Sequence, residues 1–313
     1  MEQLEPSFKN EANWQAIKQH FINEVAILER LGDHPQIPRF YRYFIENQQF
    51  YLVREYIDGD NLIQEVECKV FDEANTVYLI QDTLRILDFV HKTNVIHRNV
   101  QPIHLVRRKQ DNSYVLINFG AIREIESTEI NLKGDVLANK LFTKSGYISP
   151  EQQAGQSHFS SDIYALAKTA VYALTGRSPL ELESTQSSWL NQIQLSPKLK
   201  AILTKMMSPS IQERYRSAME VLQDLRPLLK IKQVIGGRYS ITRYLGGKAG
   251  IETYLADNLR RQYQSPCLIK QIELTDAPSD GKIKIERRFA EELSVLERLG
   301  YHEESPKLWF HFE

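Results

Sequence analysis

The sequence has few cysteines and no long apolar run, and each absence excludes a class of protein. Its 313 residues include two cysteines, Cys68 and Cys267, in distant parts of the chain. Two cysteines without metal-ligand spacing argue against a disulfide framework and a zinc site, and they suit a reducing cytoplasm. No window of about 18 uninterrupted apolar residues occurs, and the start of the chain lacks the basic and apolar stretches of a signal peptide. We therefore expect a cytoplasmic protein with no membrane association and no metal site.

An excess of charge of one sign is also missing. The chain carries 39 basic and 40 acidic residues, a net charge of −1. This balance gives no electrostatic reason to expect binding to nucleic acid or to an anionic membrane. The composition, 42% hydrophobic and 25% charged, is that of an ordinary globular protein. The length suits two modest domains, or one larger domain and a fragment.

The two ends of the chain are similar in sequence and form an internal repeat. Residues 21–32, FINEVAILERLG, match residues 289–300, FAEELSVLERLG, at a constant offset (289 − 21 = 268). The same offset pairs His34 with His302, and it continues without gaps at both ends of the match. The first 45 and the last 45 residues are therefore two copies of one unit. Each copy is predicted to form a strand, a helix and a strand, because the apolar residues of its middle segment have helical spacing.

Between the two copies, the pattern changes from strands to helices. Residues 50–57 form a β-rich run that ends at Asp58-Gly59. A long amphipathic helix is predicted from the apolar stripe Val77, Ile80, Leu84 and Leu87. Residues from about 160 to 230 are mainly helical by the same criterion. We predict a first domain over 1–230, a linker over 231–237 and a second domain over 238–313.

Several short motifs follow one another in a defined order. They are His97-Arg98-Asn99-Val-Gln101-Pro-Ile-His104, Asn118-Phe-Gly, Gly146-Tyr-Ile-Ser-Pro-Glu151, Ser161-Asp162 and Glu213-Arg214. In this order and spacing, residues 20–226 resemble a bacterial serine/threonine protein kinase domain of the cyanobacterial type. The resemblance implies an α+β, protein kinase-like fold. Its expected parts are a partial N-lobe sheet with its C-helix, a mainly helical C-lobe, and then a second partial N-lobe.

The catalytic positions of that family are replaced in this chain. In the family the catalytic loop runs His-Arg-Asp, with Lys two positions and Asn five positions after the Asp. Here Asn99, Gln101 and His104 stand at those positions, and Asn118 stands at the position of the metal-binding Asp. An amide cannot accept a proton near neutral pH, and exchanging Asp for Asn removes a full charge from a magnesium site. His104 could bind a softer metal, although a partly buried polar residue filling the old site is the simpler interpretation.

The nucleotide-binding positions are divided between the two copies of the repeat. The resemblance assigns them to Glu24, Glu55, Gly246, Lys270 and Glu292. In the first copy, the residue equivalent to Lys270 is Glu2, a carboxylate where the family has a phosphate-binding cation. In the second copy, the glycine-rich pattern falls on Gly246, Lys248 and Ile251, and a β-branched residue resists the backbone angles that glycine allows. We therefore expect ATP and magnesium to bind weakly, and no cofactor is certain.

The positions that hold the C-lobe of a kinase together are unchanged, and they include Arg98, Glu151, Asp162 and Arg214. Catalytic positions changed while scaffold positions stayed, which favours a pseudokinase that acts as a regulatory or scaffold module in phosphorylation signalling. Its expected partner is a protein, such as an active kinase. One alternative is a serine/threonine kinase with an atypical site, for which Asp111 is the nearest substitute carboxylate. A second alternative is a non-functional fragment of a tandem kinase.

Neither copy of the repeat reads as a whole N-lobe. The first lacks the opening strands, and the second ends at Glu313 before the hinge strand. Sheets that miss strands expose edges that invite pairing. A domain-swapped homo-oligomer would complete them, and the alternative is a marginal C-terminal appendage.

Overall fold

The computed structural model describes residues 2–4, 11–47, 49–119, 123–124, 146–184, 193–248, 251–259 and 266–272, with the helical positions 287, 290–291, 294–295 and 298. The chain divides into two compact units, Met1–Leu229 and Lys230–Glu313. None of the described helices is both long and apolar enough to cross a membrane.

The first unit begins with a small antiparallel sheet and a helix. The elements are β1 (Glu2–Leu4), α1 (Glu11–Leu31), β2 (Phe40–Glu46) and β3 (Gln49–Arg54), and the strand order is β1-β3-β2. β1 pairs with β3 in the register that places Glu2 opposite Leu52. The Phe21 ring of α1 packs against Phe50 at 4.9 Å between centroids. Gly32 ends the helix with φ +57°, a conformation that glycine adopts without steric cost.

Short strands and two helices follow. They are β4 (Gly59–Asn61), α2 (Leu62–Cys68), α3 (Glu73–Lys92), β5 (Val95–Ile96), a 3₁₀ turn (Pro102–His104), β6 (Leu105–Arg108), β7 (Tyr114–Leu116) and β8 (Arg123–Glu124). They form a three-stranded sheet in the order β4-β6-β7 and the pair β5-β8. Asp72 caps α3 by accepting a hydrogen bond from the Asn75 N–H at 2.8 Å.

From residue 146 onward, the described part of the first unit is mainly helical. Its elements are α4 (Pro150–Gln153), α5 (Phe159–Thr175), α6 (Pro179–Ser184), α7 (Pro197–Met206), α8 (Ala218–Leu225) and a 3₁₀ turn (Arg226–Lys230). The core lies where α3 meets α5 and α8. The predicted stripe of α3 is buried there: Val77 is 2% exposed and Ile80, Leu84 and Leu87 are fully buried. Small residues of α5, Ala167, Ala170 and Ala173, are fully buried too and allow close helix packing.

The second unit contains an antiparallel sheet. Its strands are β9 (Val234–Ile235), β10 (Tyr239–Lys248), β11 (Ile251–Asn258) and β12 (Cys267–Ile272), in the order β12-β11-β10-β9. Ile241, Tyr254 and Ala256 are fully buried on this sheet. The segment predicted as a linker, 231–237, lies in this unit and contains β9, which pairs with β10. A sheet with a helix, followed by a mainly helical part, confirms the predicted α+β class.

Candidate functional site

The loop that carries Asn99 is held in place by Asp162 of α5. The fully buried Asp162 carboxylate accepts hydrogen bonds from the backbone N–H groups of His97 at 2.9 Å and Arg98 at 2.7 Å. It also accepts one from His91 Nε2 at 2.9 Å. Burial by itself would raise the pKa of Asp162, but the hydrogen bond and charge of His91 and the His97 N–H bring that pKa below its usual value. An ionised Asp162 therefore fixes the start of the loop, where Arg98 has φ +65°.

His97 joins this loop to the segment that carries Asn118. Its ring packs edge-on against Phe119 at 4.6 Å between centroids, and both side chains are buried. Desolvation lowers the pKa of His97 to about 4, outweighing the attraction of Asp162. His97 is therefore a neutral packing residue at physiological pH, and it holds the two motifs together.

The four replaced catalytic positions form one connected hydrogen-bond network. Gln101 Nε2 donates to Asn99 Oδ1 at 2.7 Å. His104 Nδ1 lies 2.8 Å from the backbone O of Asn99, and His104 Nε2 lies 2.8 Å from Asn118 Nδ2. A carbonyl oxygen only accepts, so Nδ1 carries the proton and Nε2 accepts from the Asn118 amide. We call these four residues the neutral network, because every member is uncharged in this arrangement.

The backbone conformation at position 118 also suits an asparagine. Its φ is +64°, in the left-handed region where Asn and Asp are tolerated better than most residues. The exchange of a carboxylate for an amide therefore keeps the local backbone, removes the charge and adds a hydrogen-bond donor. Its amide then donates to His104, which a carboxylate could not do.

The neutral network has little capacity for base or metal chemistry. Asn99 is 7% exposed, its Oδ1 already accepts from Gln101, and its Nδ2 finds no partner in the part of the chain that the structure describes. Both ring nitrogens of His104 are engaged in hydrogen bonds, so neither offers a lone pair to a metal. Among the described residues, no group of three or more His, Cys, Asp or Glu side chains could hold a metal ion. The geometry favours the interpretation of His104 as a buried polar residue.

Asp111, the substitute carboxylate considered from the sequence, lies away from this network. It accepts hydrogen bonds from the Ser113 hydroxyl at 2.7 Å and the Ser113 N–H at 3.0 Å, and these lower its pKa. It sits in the turn between β6 and β7, whereas His104 precedes β6 and Asn118 follows β7. The four residues of β6 at about 3.3 Å each separate the two ends by roughly 13 Å. The structure therefore does not bring Asp111 to Asn99.

A buried ion pair fixes the segment after the catalytic motifs. Arg214 Nη1 lies 2.7 Å from Glu151 Oε1, and Nη2 lies 3.2 Å from Oε2. The Ser161 hydroxyl donates to the same carboxylate at 2.6 Å. Burial would raise the pKa of Glu151, but Arg214 and the hydroxyl donors lower it to about 2. Gln152 Nε2 then donates to the backbone O of Arg98 at 2.8 Å, so this anchor reaches the catalytic loop.

The positions assigned to nucleotide binding lie in different parts of the structure. Glu24 lies in α1. Glu55 follows β3, where its carboxylate accepts from the Arg39 N–H at 3.1 Å. Gly246, with φ +147°, lies in β10, and Lys270 lies in β12 opposite Thr253. Glu292 lies outside the described residues.

The structure thus brings several of the predicted residues together. Asn99, Gln101, His104 and Asn118 form one network, next to the anchors Arg98, Asp162, Glu151 and Arg214. Gly246 and Lys270 share the sheet of the second unit.

Two contributing residues were missed from the sequence. His91 pairs with Asp162, and Gln152 binds the Arg98 carbonyl. A polar residue in the last turn of a helix is common, so His91 carried no signal of a buried contact. Gln152 is an ordinary polar residue beside Glu151, and its contact depends on the fold.

Comparison with known proteins identifies the family. The family model described as protein kinase domain matches residues 7–231. Serine/threonine-protein kinase PknA of Nostoc sp. is 36% identical over 233 residues, which cover 72% of this chain and 41% of the relative. Serine/threonine-protein kinase B of Synechocystis sp. is 36% identical over 236 residues, with the same two shares. Serine/threonine-protein kinase C of Synechocystis sp. is 35% identical over 230 residues, 71% of this chain and 43% of the relative. The chain thus spans less than half the length of these curated relatives.

Proposed function

The chain belongs to the protein kinase family, and we propose that it is a pseudokinase that binds and regulates a protein partner. It would keep the scaffold of the fold and lack efficient phosphotransfer. The expected partner is a component of phosphorylation signalling, such as an active kinase, and the expected location is the cytoplasm. The free thiols Cys68 and Cys267 suit that compartment.

The neutral network is the observation that carries the proposal. Phosphotransfer needs a group that accepts or orients the hydroxyl proton and carboxylates that hold magnesium against the phosphates. In this chain the first position is the amide of Asn99, already bonded to Gln101, and the second is the amide of Asn118, bonded to His104. A positioned general base contributes about 10²–10⁴-fold to a rate. Loss of the base and of the metal ligand together should reduce catalysis by more than either alone.

A second candidate, an active serine/threonine kinase with an atypical site, is favoured by the relatives. Their printed names are those of serine/threonine-protein kinases. In this candidate, the chain would transfer the γ-phosphate of ATP without the usual carboxylates. Asp111 does not supply one, because its carboxylate is bonded to Ser113 in the β6–β7 turn.

Phosphotransfer with radiolabelled ATP and magnesium separates the two candidates. The wild-type chain should label neither itself nor a generic basic protein substrate. The matched variant restores the family's residues at the four positions: Asn99→Asp, Gln101→Lys, His104→Asn and Asn118→Asp. Labelling by the wild type that disappears in Asn118→Gly would contradict the pseudokinase proposal and support the atypical kinase.

Ligand binding is measured separately by thermal melting with ATP, with and without magnesium. A ligand present at about a hundred times its Kd adds roughly 2.7 kcal/mol to the free energy of unfolding. We expect no magnesium-dependent rise in Tm for the wild type. A rise without labelling would leave a nucleotide-binding pseudokinase, and a rise with labelling would favour the active kinase.

A further inference from the structure

The repeat and the observed strand pairings point to an exchange of strands between two copies of this chain. We propose that β12 of one copy pairs with β3 of a second copy, at the edge where β1 pairs within a single chain. The proposal concerns association and does not depend on whether the protein transfers phosphate.

The first support is the equivalence of β1 and β12. At the offset of the repeat, Glu2, Gln3 and Leu4 correspond to Lys270, Gln271 and Ile272. Two of the three positions keep their character, because glutamine is identical and leucine becomes isoleucine. The three residues of β1 pair with β3. A strand that repeats this pattern can therefore compete for the same edge.

The second support is the form of β12. It is six residues long, whereas β1 has three, so it can make about twice as many pairs with a neighbour. It is the end strand of its sheet within the described residues, with β11 on its other side. Leu268, which lies on this strand, is 62% exposed. A long end strand with an exposed leucine is the kind of edge that pairs with another chain.

The register follows from the pairing of β1. Glu2 lies opposite Leu52 and Leu4 lies opposite Phe50, so the repeat places Lys270 opposite Leu52 and Ile272 opposite Phe50. Residues directly opposite in an antiparallel pair share a face. The face that holds Phe50 and Leu52 is buried, and Phe50 packs on Phe21 of α1. Leu268 lies on the same side of β12 as Lys270, and this register places it opposite Arg54, at the border of the face that holds Leu52.

In this arrangement, the strand edges of two copies pair with each other. Each copy supplies one β12 and one β3, so a reciprocal exchange closes a symmetric dimer with no further edge of this kind left over. The resulting sheet has the strand order β9-β10-β11-β12-β3-β2, in which β12 and β3 come from different copies. The cost is the displacement of β1, which makes only three pairs.

The register is tested by a disulfide between two different variants. One chain carries Gln271→Cys and the other carries Tyr51→Cys, both with Cys68→Ser and Cys267→Ser, and the two are co-expressed with different affinity tags. Opposite residues lie about 4.5–5.5 Å apart between Cα atoms, within the range of a disulfide. We expect a covalent heterodimer after mild oxidation, and a much lower yield when Val53→Cys replaces Tyr51→Cys. No heterodimer, or equal yields for both partners, would overturn the proposal.

Mass measurement by size-exclusion chromatography with light scattering supplies the second test. The wild type should run at twice the chain mass of 36.4 kDa. Leu268→Asp should shift it to the monomer, while Leu259→Asp, at a leucine that is 52% exposed and lies just beyond β11, should not. A wild type that stays monomeric at every concentration would overturn the proposal. So would a disulfide that forms within one chain when both cysteines are placed on it.

Discussion

Two polar clusters of the first unit are built in opposite ways. The anchor cluster is ionic: Arg214 pairs with Glu151 at 2.7 Å, and Asp162 holds His91 and the start of the catalytic loop. The neutral network contains only amides and a histidine, linked at 2.7–2.8 Å. The two clusters are linked through the catalytic loop, since Gln152 follows Glu151 and binds the carbonyl of Arg98.

The difference shows what each cluster requires. A buried ion pair is tolerated only while both partners remain, because a single buried charge is costly. Two carboxylates at positions 99 and 118 would repel each other and would depend on a bound cation. With amides there, the hydrogen bonds between Gln101, Asn99, His104 and Asn118 satisfy most of the polar atoms without a ligand. The anchor cluster therefore fixes segments of the fold through charge, whereas the neutral network fixes the replaced positions through hydrogen bonds between uncharged groups.

The largest expected effect comes from breaking the anchor cluster. Arg214→Met leaves the Glu151 carboxylate buried without its cation, so the free energy of unfolding should fall by about 3–5 kcal/mol. Urea denaturation measures it. The control is Arg39→Met, which breaks an exposed pair with Asp33 and should cost less than about 1 kcal/mol. Similar losses for the two variants would mean that the anchor is no stronger than a surface pair.

The next effect is a dependence on pH that comes from His97. The unfolded chain protonates this histidine below about pH 6.5, whereas the folded chain keeps it neutral down to about pH 4. The free energy of unfolding should therefore fall as the pH drops from 6.5 to 4. At about 1.4 kcal/mol for each pKa unit, His97 accounts for roughly 3 kcal/mol of that fall.

His97→Phe keeps an aromatic ring against Phe119 and removes the titrating group. Its unfolding free energy should depend less on pH between 6.5 and 4 than that of the wild type, as measured by urea denaturation at several pH values. His158→Phe, at an exposed position, should keep the wild-type slope. Equal slopes for wild type and His97→Phe would show that His97 is not held neutral by the fold.

The sequence predicted the anchor cluster better than the contacts within the neutral network. Arg98, Glu151, Asp162 and Arg214 stand in recognisable motifs, and the apolar stripe of α3 is buried as its spacing predicts. The hydrogen bonds of His104 depend on the orientations of its own ring and of the neighbouring amide groups of Asn99 and Asn118. Those orientations are set by packing and by the φ of +64° at Asn118, and neither can be read from residue order.

Other structural features could not be predicted from the sequence, for similar physical reasons. The short strand β9 lies in the predicted linker, where Val234 and Ile235 pair with β10. The adjacent Gly236-Gly237 pair is typical of a turn or linker, so no strand was predicted there. His91 gave no signal because its partner, Asp162, is distant in sequence. The turn at Asp111, by contrast, is set by local hydrogen bonds with Ser113, which lies only two residues away in the sequence.

The smallest expected effect on the free energy of unfolding concerns the neutral network. Asn118 is half-buried, so water can replace its amide when the side chain is removed, and the loss should be about 1 kcal/mol. A double-mutant cycle with Asn118→Gly and His104→Phe isolates the bond between them, because the backbone effect of glycine cancels in the cycle. We expect a coupling free energy of about 1 kcal/mol from urea denaturation, well below the loss for Arg214→Met.

Asn118→Gly combined with Arg39→Met should be additive, because those residues share no contact. If the Asn118 and His104 changes are additive as well, the hydrogen bond between these two side chains contributes nothing to stability.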